Sequence, residues 1–285
     1  MDKANESPKK KTLVLGGTGK TGSRVVQRLT HGGWPVRVGS RSGEPPFDWS
    51  DRTTWKPALQ GINAVYVAYQ PDLAVPGAPD AIRSFAEMAV KSGVQQLVLL
   101  SGRGEPEAQE CEQIVVKAGA DWTILRASWF SQNFSESYLL EPVLAGYVAL
   151  PVTNVGEPFI DADDIADVAV AALTQEGHAG QLYELTGPRL LSFEEAVGEI
   201  ARATGRSVHY EPVSIEAYTA VLAEHSVPDE YIGLLTYLFA EVLDGRNATL
   251  TNGVELALGR KPTDFTDYVR KTAATGAWAG ELAQQ

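Results

Sequence analysis

Residues 12–29 read TLVLGGTGKTGSRVVQRL. A short apolar run enters a turn carrying Gly16, Gly17, Gly19 and Gly22, and Val25, Val26 and Leu29 then recur at helical spacing. That is a buried strand, a glycine turn and a helix in immediate succession. The GKT at 19–21 has the spelling of a nucleoside-triphosphate P-loop. A P-loop, however, needs a glycine five residues before its GK glycine, and that position is Val14, inside the apolar run. Nor does a later strand end in the acid that would hold magnesium: the run at 62–69 ends in Tyr69 and that at 96–101 in Ser101. The glycine spacing suits a dinucleotide turn instead. Gly16 permits the tight bend, Gly19 lets backbone approach a pyrophosphate, and Gly22 lets the helix pack closely. The helix N-terminus adds free N–H groups and a partial positive charge.

The rest of the first half repeats the pattern. Strand-like runs at 35–38, 62–69, 96–101 and 122–126 alternate with helix faces carrying Ile82, Phe85, Ala86 and Ala89, then Cys111, Ile114, Val115 and Ala118. Strands apolar on both faces and separated by helices predict an α/β fold, a doubly wound parallel sheet. Beyond about residue 130 the segment DADDIADVAVAAL predicts a helix and QLYELTG a returning strand. SFEE at 192–195 is a capping box whose helix runs to Gly205. Tyr231, Leu234, Leu235, Leu238 and Val242 mark a further amphipathic helix. The expected organisation is a flexible tail over 1–11, a Rossmann domain over 12–190 and a smaller, mostly helical C-terminal region over 191–285.

Composition narrows the partners. Acidic residues outnumber basic ones 36 to 24, a formal charge of −12, which repels a nucleic-acid backbone. No apolar stretch is long enough to span a membrane and none resembles a signal peptide, so a cytoplasmic protein is expected, with a homodimer left open. One cysteine, Cys111, and four scattered histidines give no metal-ligand spacing, so no metal is expected. Which dinucleotide is bound is read at the end of the second strand. Sites selective for NAD place an acid there for the ribose 2′-hydroxyl; this chain has Ser40 and Arg41. A serine donor and a guanidinium fork suit a 2′-phosphate, and Lys20 adds charge nearby. The expected cofactor is NADP(H).

GGTGKTG, VGSR, LVLLSGRG, TILRASWFSQNF and DADDIADVAVAALT…GQLYELTGP together resemble the NmrA-like branch of the atypical short-chain dehydrogenases, over roughly residues 12–205. The resemblance implies a cofactor across the carboxyl ends of the strands. With Gly16 in the cofactor-binding turn, its adenine half would meet Thr18, Gly19, Lys20, Thr21, Ser40 and Arg41, and its middle Tyr69, Gln70, Ser101 and Gly102. Trp129, Phe130 and Asn133 would approach the nicotinamide and substrate. The nearby aromatics Trp129, Phe130 and Phe134 read as a flat substrate pocket or as packing for the helical region, and Tyr138 beyond them as a substitute acid at that pocket or a packing tyrosine. The chain departs from the wider superfamily at catalysis. The Tyr-x-x-x-Lys pair is missing, and its nearest spacing match is Gln109-x-x-x-Gln113. Ser101 and Asn133 remain as candidates for holding an acceptor oxygen. Three functions follow: a reductase passing hydride from NADPH to a quinone-like or conjugated carbonyl small molecule, a redox-sensing regulator that binds NADP without turnover and acts through a protein partner, or an epimerase or dehydratase that uses bound NADP transiently.

Overall fold

The structure, a computed structural model, describes residues 9–279. In chain order the elements are β1 (Thr12–Leu15), α1 (Lys20–His31), β2 (Val36–Gly39), α2 (Trp55–Leu59), β3 (Ala64–Val67), α3 (Ala78–Lys91), β4 (Gln96–Gly102), α4 (Pro106–Val116) and β5 (Asp121–Ala127). There follow α5 (Asn133–Glu136), α6 (Leu140–Ala145), β6 (Tyr147–Leu150), α7 (Ala162–Thr174), β7 (Gln181–Leu185), α8 (Phe193–Thr204) and β8 (His209–Pro212). The chain closes with α9 (Ile215–Glu224), α10 (Asp229–Tyr237), α11 (Gly253–Leu258) and α12 (Phe265–Ala274).

Six strands form one sheet in the order β2-β1-β3-β4-β5-β7, with β1 parallel to both β2 and β3, and β3 parallel to β4. All four residues of β1 and of β3 are buried, as expected of strands covered on both faces. The fold class is therefore the doubly wound α/β sheet. β6 and β8 pair in a separate two-stranded parallel sheet. β8, with the sequence HYEP, carries no apolar run, which is why it escapes a pattern search.

The chain forms two compact units, and they interleave. The first comprises Met1–Arg126, Asp163–Glu184 and Gly253–Arg260; the second comprises Ala127–Ala162, Leu185–Asn252 and Lys261–Gln285. A single cut near residue 190 is thus corrected. The physical reason is that α7, β7 and α11 complete the first unit although they lie late in the sequence. Ion pairs show this directly: Asp163 of α7 pairs with Arg24 at 3.2 Å and Arg28 at 2.9 Å, both on α1, and Asp167 pairs with Arg28. Arg260 returns to fully buried Asp164 and to Asp167, each at 2.6 Å. Asp163, Asp164 and Asp167 of DADDIAD are structural ties of the sheet unit, whereas Asp161 accepts from Gln132 Nε2 within the second unit at 2.7 Å.

The expected tail over 1–11 falls mostly outside the described residues. Two of its last three residues are anchored: Lys9 Nζ donates to the Gly32 carbonyl at 2.7 Å, and the Lys11 N–H donates to Asn63 Oδ1 at 3.0 Å. In the second unit, Ser192 and Glu195 form the capping box of α8, which ends on left-handed Gly205 at φ +67°. Such a box contributes about 1 kcal/mol. No described helix is long and apolar enough to cross a membrane.

Candidate active site

In the sheet order, β1 is flanked by β2 on one side and β3 on the other, so the direction of winding reverses there. Open α/β sheets bind ligands outside the carboxyl ends of the strands at this reversal. The glycine loop closes β1 at that point. Gly16 takes φ +62°, a left-handed value that favours glycine, and its carbonyl accepts from the Gly19 N–H at 2.8 Å. The other loop glycines differ in what requires them. A Cβ on Gly17 would lie 2.9 Å from the Val14 carbonyl and from Val38 Cγ1, and one on Gly22 would strike the Gly16 carbonyl. Packing explains both. Gly19 has an ordinary φ of −87°, and a Cβ there would meet the Gly16 carbonyl at 3.3 Å and Gln70 Nε2 at 3.8 Å. The bare Cα of Gly19 thus leaves a hollow between the loop and Gln70, at the N-terminus of α1. No described side chain caps that terminus, and its first turn carries no acid. Lys20 and buried Thr21 open the helix. The residues present fit a dinucleotide pyrophosphate.

Around this hollow the structure gathers the ends of β2 and β3. Ser40 follows buried Gly39, its Oγ 3.3 Å from Ser42 Oγ. Arg41 is exposed. Ala68 lies against the loop, 3.4 Å from where a Gly16 Cβ would be. The Tyr69 ring packs 4.9 Å from the Trp49 ring, and burial raises its phenol pKa.

The end of β4 is built from charge. Ser101 is 4% exposed and its Oγ donates to Glu112 Oε1 at 2.7 Å. Glu112, 1% exposed on α4, is gripped by Arg126 of β5, whose Nε donates to the same oxygen at 2.9 Å while Nη2 donates to Oε2. Arg126 Nη1 donates in turn to Glu184 Oε1 on β7 at 2.8 Å. These hydrogen bonds, Glu112's foremost, hold the guanidinium pKa above its usual range. The expectation that Ser101 donates to an acceptor oxygen is therefore corrected: its one proton is already committed to a buried carboxylate. Beside it, the Glu105 carboxyl lies over Gly102, where a Cβ would collide with it. Glu105 and Asp72 hydrogen-bond to each other, and burial first, then Asp72's charge, raises the Glu105 carboxyl well above the ordinary carboxylate range.

The candidate substrate residues all lie in the second unit. Half-buried Trp129 packs 5.6 Å from the Phe193 ring and 5.2 Å from that of Phe239. Phe130 bridges to Ile160, and Asn133 is the first residue of α5, half-buried. Phe134 is 0% exposed, with Phe159, Phe193 and Phe265 rings around it at 5.5, 6.0 and 5.7 Å. A ring without exposed surface cannot line a pocket, so Phe134 is corrected to a core residue. The Tyr138 ring is 6.4 Å from that of Phe239, and burial raises its phenol pKa well above the usual value. Its hydroxyl has no hydrogen-bond partner among the described residues.

Glu112, Arg126, Glu184, Asp72 and Glu105 escaped the motif search. One signal was available. Ala108, Cys111, Glu112 and Val115 form the i, i+3, i+4, i+7 stripe of α4, which puts a carboxylate on its buried face, and a buried carboxylate requires a partner. The identity of that partner, 14 residues on in β5, is not local information. Among the described residues no cluster of three or more metal-ligating side chains exists.

The sequence profile of a family described as NAD(P)H-binding matches residues 16–176. The chain belongs to that family. A (4-alkanoyl-5-oxo-2,5-dihydrofuran-3-yl)methyl phosphate reductase of Streptomyces griseus is 32% identical over 282 residues, covering 90% of this chain and 95% of that one. An NAD(P)H azoreductase of Xenophilus azovorans is 29% identical, covering 92% and 98%. The fold is shared with the NADPH-dependent quinone oxidoreductase QOR2 of Escherichia coli, with a TM-score of 0.76, 20% identity, and 91% of this chain and 99% of that one covered. The family member described here is an NAD(P)H-dependent oxidoreductase.

Proposed function

We propose that the protein is an NADPH-dependent reductase of the NmrA-like atypical short-chain type, acting on a conjugated or quinone-like carbonyl compound. The observation that carries the reading is the hollow at Gly19, a glycine that its own φ does not require, at the reversal of the sheet and beside Gln70. Bound NADPH would supply the hydride. Gly16, Thr18, Gly19, Lys20 and Thr21 would hold the pyrophosphate against the first turn of α1, which is free of acids. Ser40 and exposed Arg41 stand where an acid would select NAD, and they offer a 2′-phosphate a hydroxyl and a guanidinium. Tyr69, Gln70 and Gly102 would line the middle of the cofactor.

The substrate class follows from what the site lacks. α4 carries no tyrosine, and its inward carboxylate, Glu112, is paired with Arg126. An acceptor electrophilic enough to take hydride without a strong protein acid suits such a site. The name of the Streptomyces relative describes an unsaturated lactone bearing a further acyl group, and the Escherichia coli neighbour is named for quinones; both are electrophiles of this kind.

The test is a spectrophotometric assay. NADPH and a panel of quinones and conjugated enones are incubated with the protein, and loss of the reduced-nicotinamide absorbance is followed. Oxidation above the protein-free rate for at least one member is expected. Rates equal to the control across the panel, from protein that binds NADPH, would refute the reductase reading.

A further inference from the structure

The carboxyl end of β4 presents a serine whose hydrogen-bonding sense is fixed by residues far from it in sequence. Two guanidinium nitrogens of Arg126 engage both oxygens of Glu112, so Glu112 is a bidentate carboxylate, able only to accept. Ser101 Oγ has a single proton and lies 2.7 Å from one of those oxygens. What remains to Ser101 is lone pairs. Glu184 holds the other side of Arg126 at 2.8 Å, so the fork is braced from β7 as well. The whole chain of contacts lies inside the sheet unit, and Glu112 itself is sealed from solvent.

We propose that Glu112, braced by Arg126, makes Ser101 a hydrogen-bond acceptor, so that the ligand group seated against Ser101 is an N–H or O–H donor and not a carbonyl oxygen. This rests on the reading of the carboxyl edge of the sheet as an NADPH site. Glu112 is then a positioning residue: it acts on the ligand only by orienting the Ser101 hydroxyl. The donor is either a carboxamide or ribose group of the dinucleotide or an N–H or O–H of the substrate.

A double-mutant cycle tests it, using Ser101→Ala, Glu112→Gln and the two combined in the full-length protein. Each variant is measured for NADPH dissociation constant by fluorescence titration and for KM and kcat with a quinone that the wild type reduces. Ser101→Ala is expected to weaken one binding constant about tenfold, the loss of one hydrogen bond. A change in the NADPH constant places the donor on the cofactor, and a change confined to KM places it on the substrate. Glu112→Gln should weaken the same constant, and that effect should vanish in the Ser101→Ala background. Full additivity of the two substitutions, or no change in either constant with Ser101→Ala, would overturn the proposal. If Glu112→Gln does not fold, Glu112→Gln with Arg126→Gln, which removes both charges, takes its place in the cycle. Wild-type protein that binds no NADPH defeats the site reading itself, whereas wild-type binding and turnover with an uncoupled cycle defeat only the acceptor assignment.

Discussion

After β1 the chain shapes its edge of the sheet by leaving side chains out; after β4 it does so by burying charge. The glycine loop is a run of close backbone approaches, with Gly16 at φ +62° and Gly22 pressed on the Gly16 carbonyl. The β4 end is a set of long side chains from four elements, Ser101, Glu112, Arg126 and Glu184, converging through hydrogen bonds of 2.7–2.9 Å. The first arrangement is local, and a Cβ at Gly17 or Gly22 damages it by collision with the backbone of β1 or of the loop. The second is non-local, and its members are replaceable only together, because each charge is tolerable in the interior only while its partner is present.

The two regions should therefore fail differently. The largest effect is expected from Glu112→Gln, which removes one of the two carboxylates paired with Arg126 and turns one acceptor oxygen into a donor facing it: a loss of about 3 kcal/mol in urea unfolding, the lower end for a broken buried pair because Glu184 still balances the charge. A loss below about 1 kcal/mol would show that the cluster is not held by charge. Next, Gly22→Ala should cost about 1–3 kcal/mol through overpacking against the loop backbone. Gly19→Ala should cost no more than about 1 kcal/mol yet weaken NADPH binding at least about tenfold, since its Cβ would enter the hollow. Equal stability losses for these two substitutions would erase the distinction between a packed and a ligand-facing glycine.

Arg41→Ala sharpens the comparison at the cofactor's far end. The exposed guanidinium contributes to neither region's packing, so stability should hold within about 0.5 kcal/mol. NADPH affinity should fall about tenfold or more while NADH affinity stays unchanged, and parallel losses for the two cofactors would remove the 2′-phosphate role.

The smallest effect lies in the second unit. The Arg189 hydrogen bond, opposed by partial burial, lowers Asp264 to a pKa of about 2. A depressed carboxylate pKa stabilises the folded state above the ordinary value of 3.8 and loses that contribution as pH falls toward 2. Asp264→Asn keeps Oδ1 to cap α12 and removes the charge together with the hydrogen bond that Oδ2 accepts from Arg189 Nε. It should cost about 1 kcal/mol at neutral pH, discounted for exposure, with the difference from wild type closing between pH 4 and pH 2. A difference independent of pH would assign the effect to the cap.

How much of this was legible in the sequence depends on the range of the interaction concerned. β1, the loop and α1 could be read because strand run, glycine spacing and helical period all fall within about 18 residues, and the capping box at Ser192 because its two partners are three residues apart. The DADDIAD aspartates read as helix starters, and their ion pairs to Arg24 and Arg28 were invisible across about 140 positions. Phe134 reads as a pocket aromatic beside Trp129, yet the packing of Phe159, Phe193 and Phe265 makes it core. Adjacent residues of α5 differ in this respect, Asn133 being half-buried and Phe134 sealed, and only the surrounding packing distinguishes them.

By itself the sequence determined the doubly wound fold, the strand–glycine turn–helix succession at residues 12–29, and the absence of the usual tyrosine–lysine pair. Each of these depends on residue type at short spacing, which backbone sterics and hydrophobic periodicity translate directly into structure. Tertiary structure alone decided which way Ser101 points its proton, that α7 and α11 belong with the sheet, and which loop glycines are required by packing. Those outcomes depend on where charges and rings from distant segments meet, and burial strengthens such contacts only after the whole chain has brought them together.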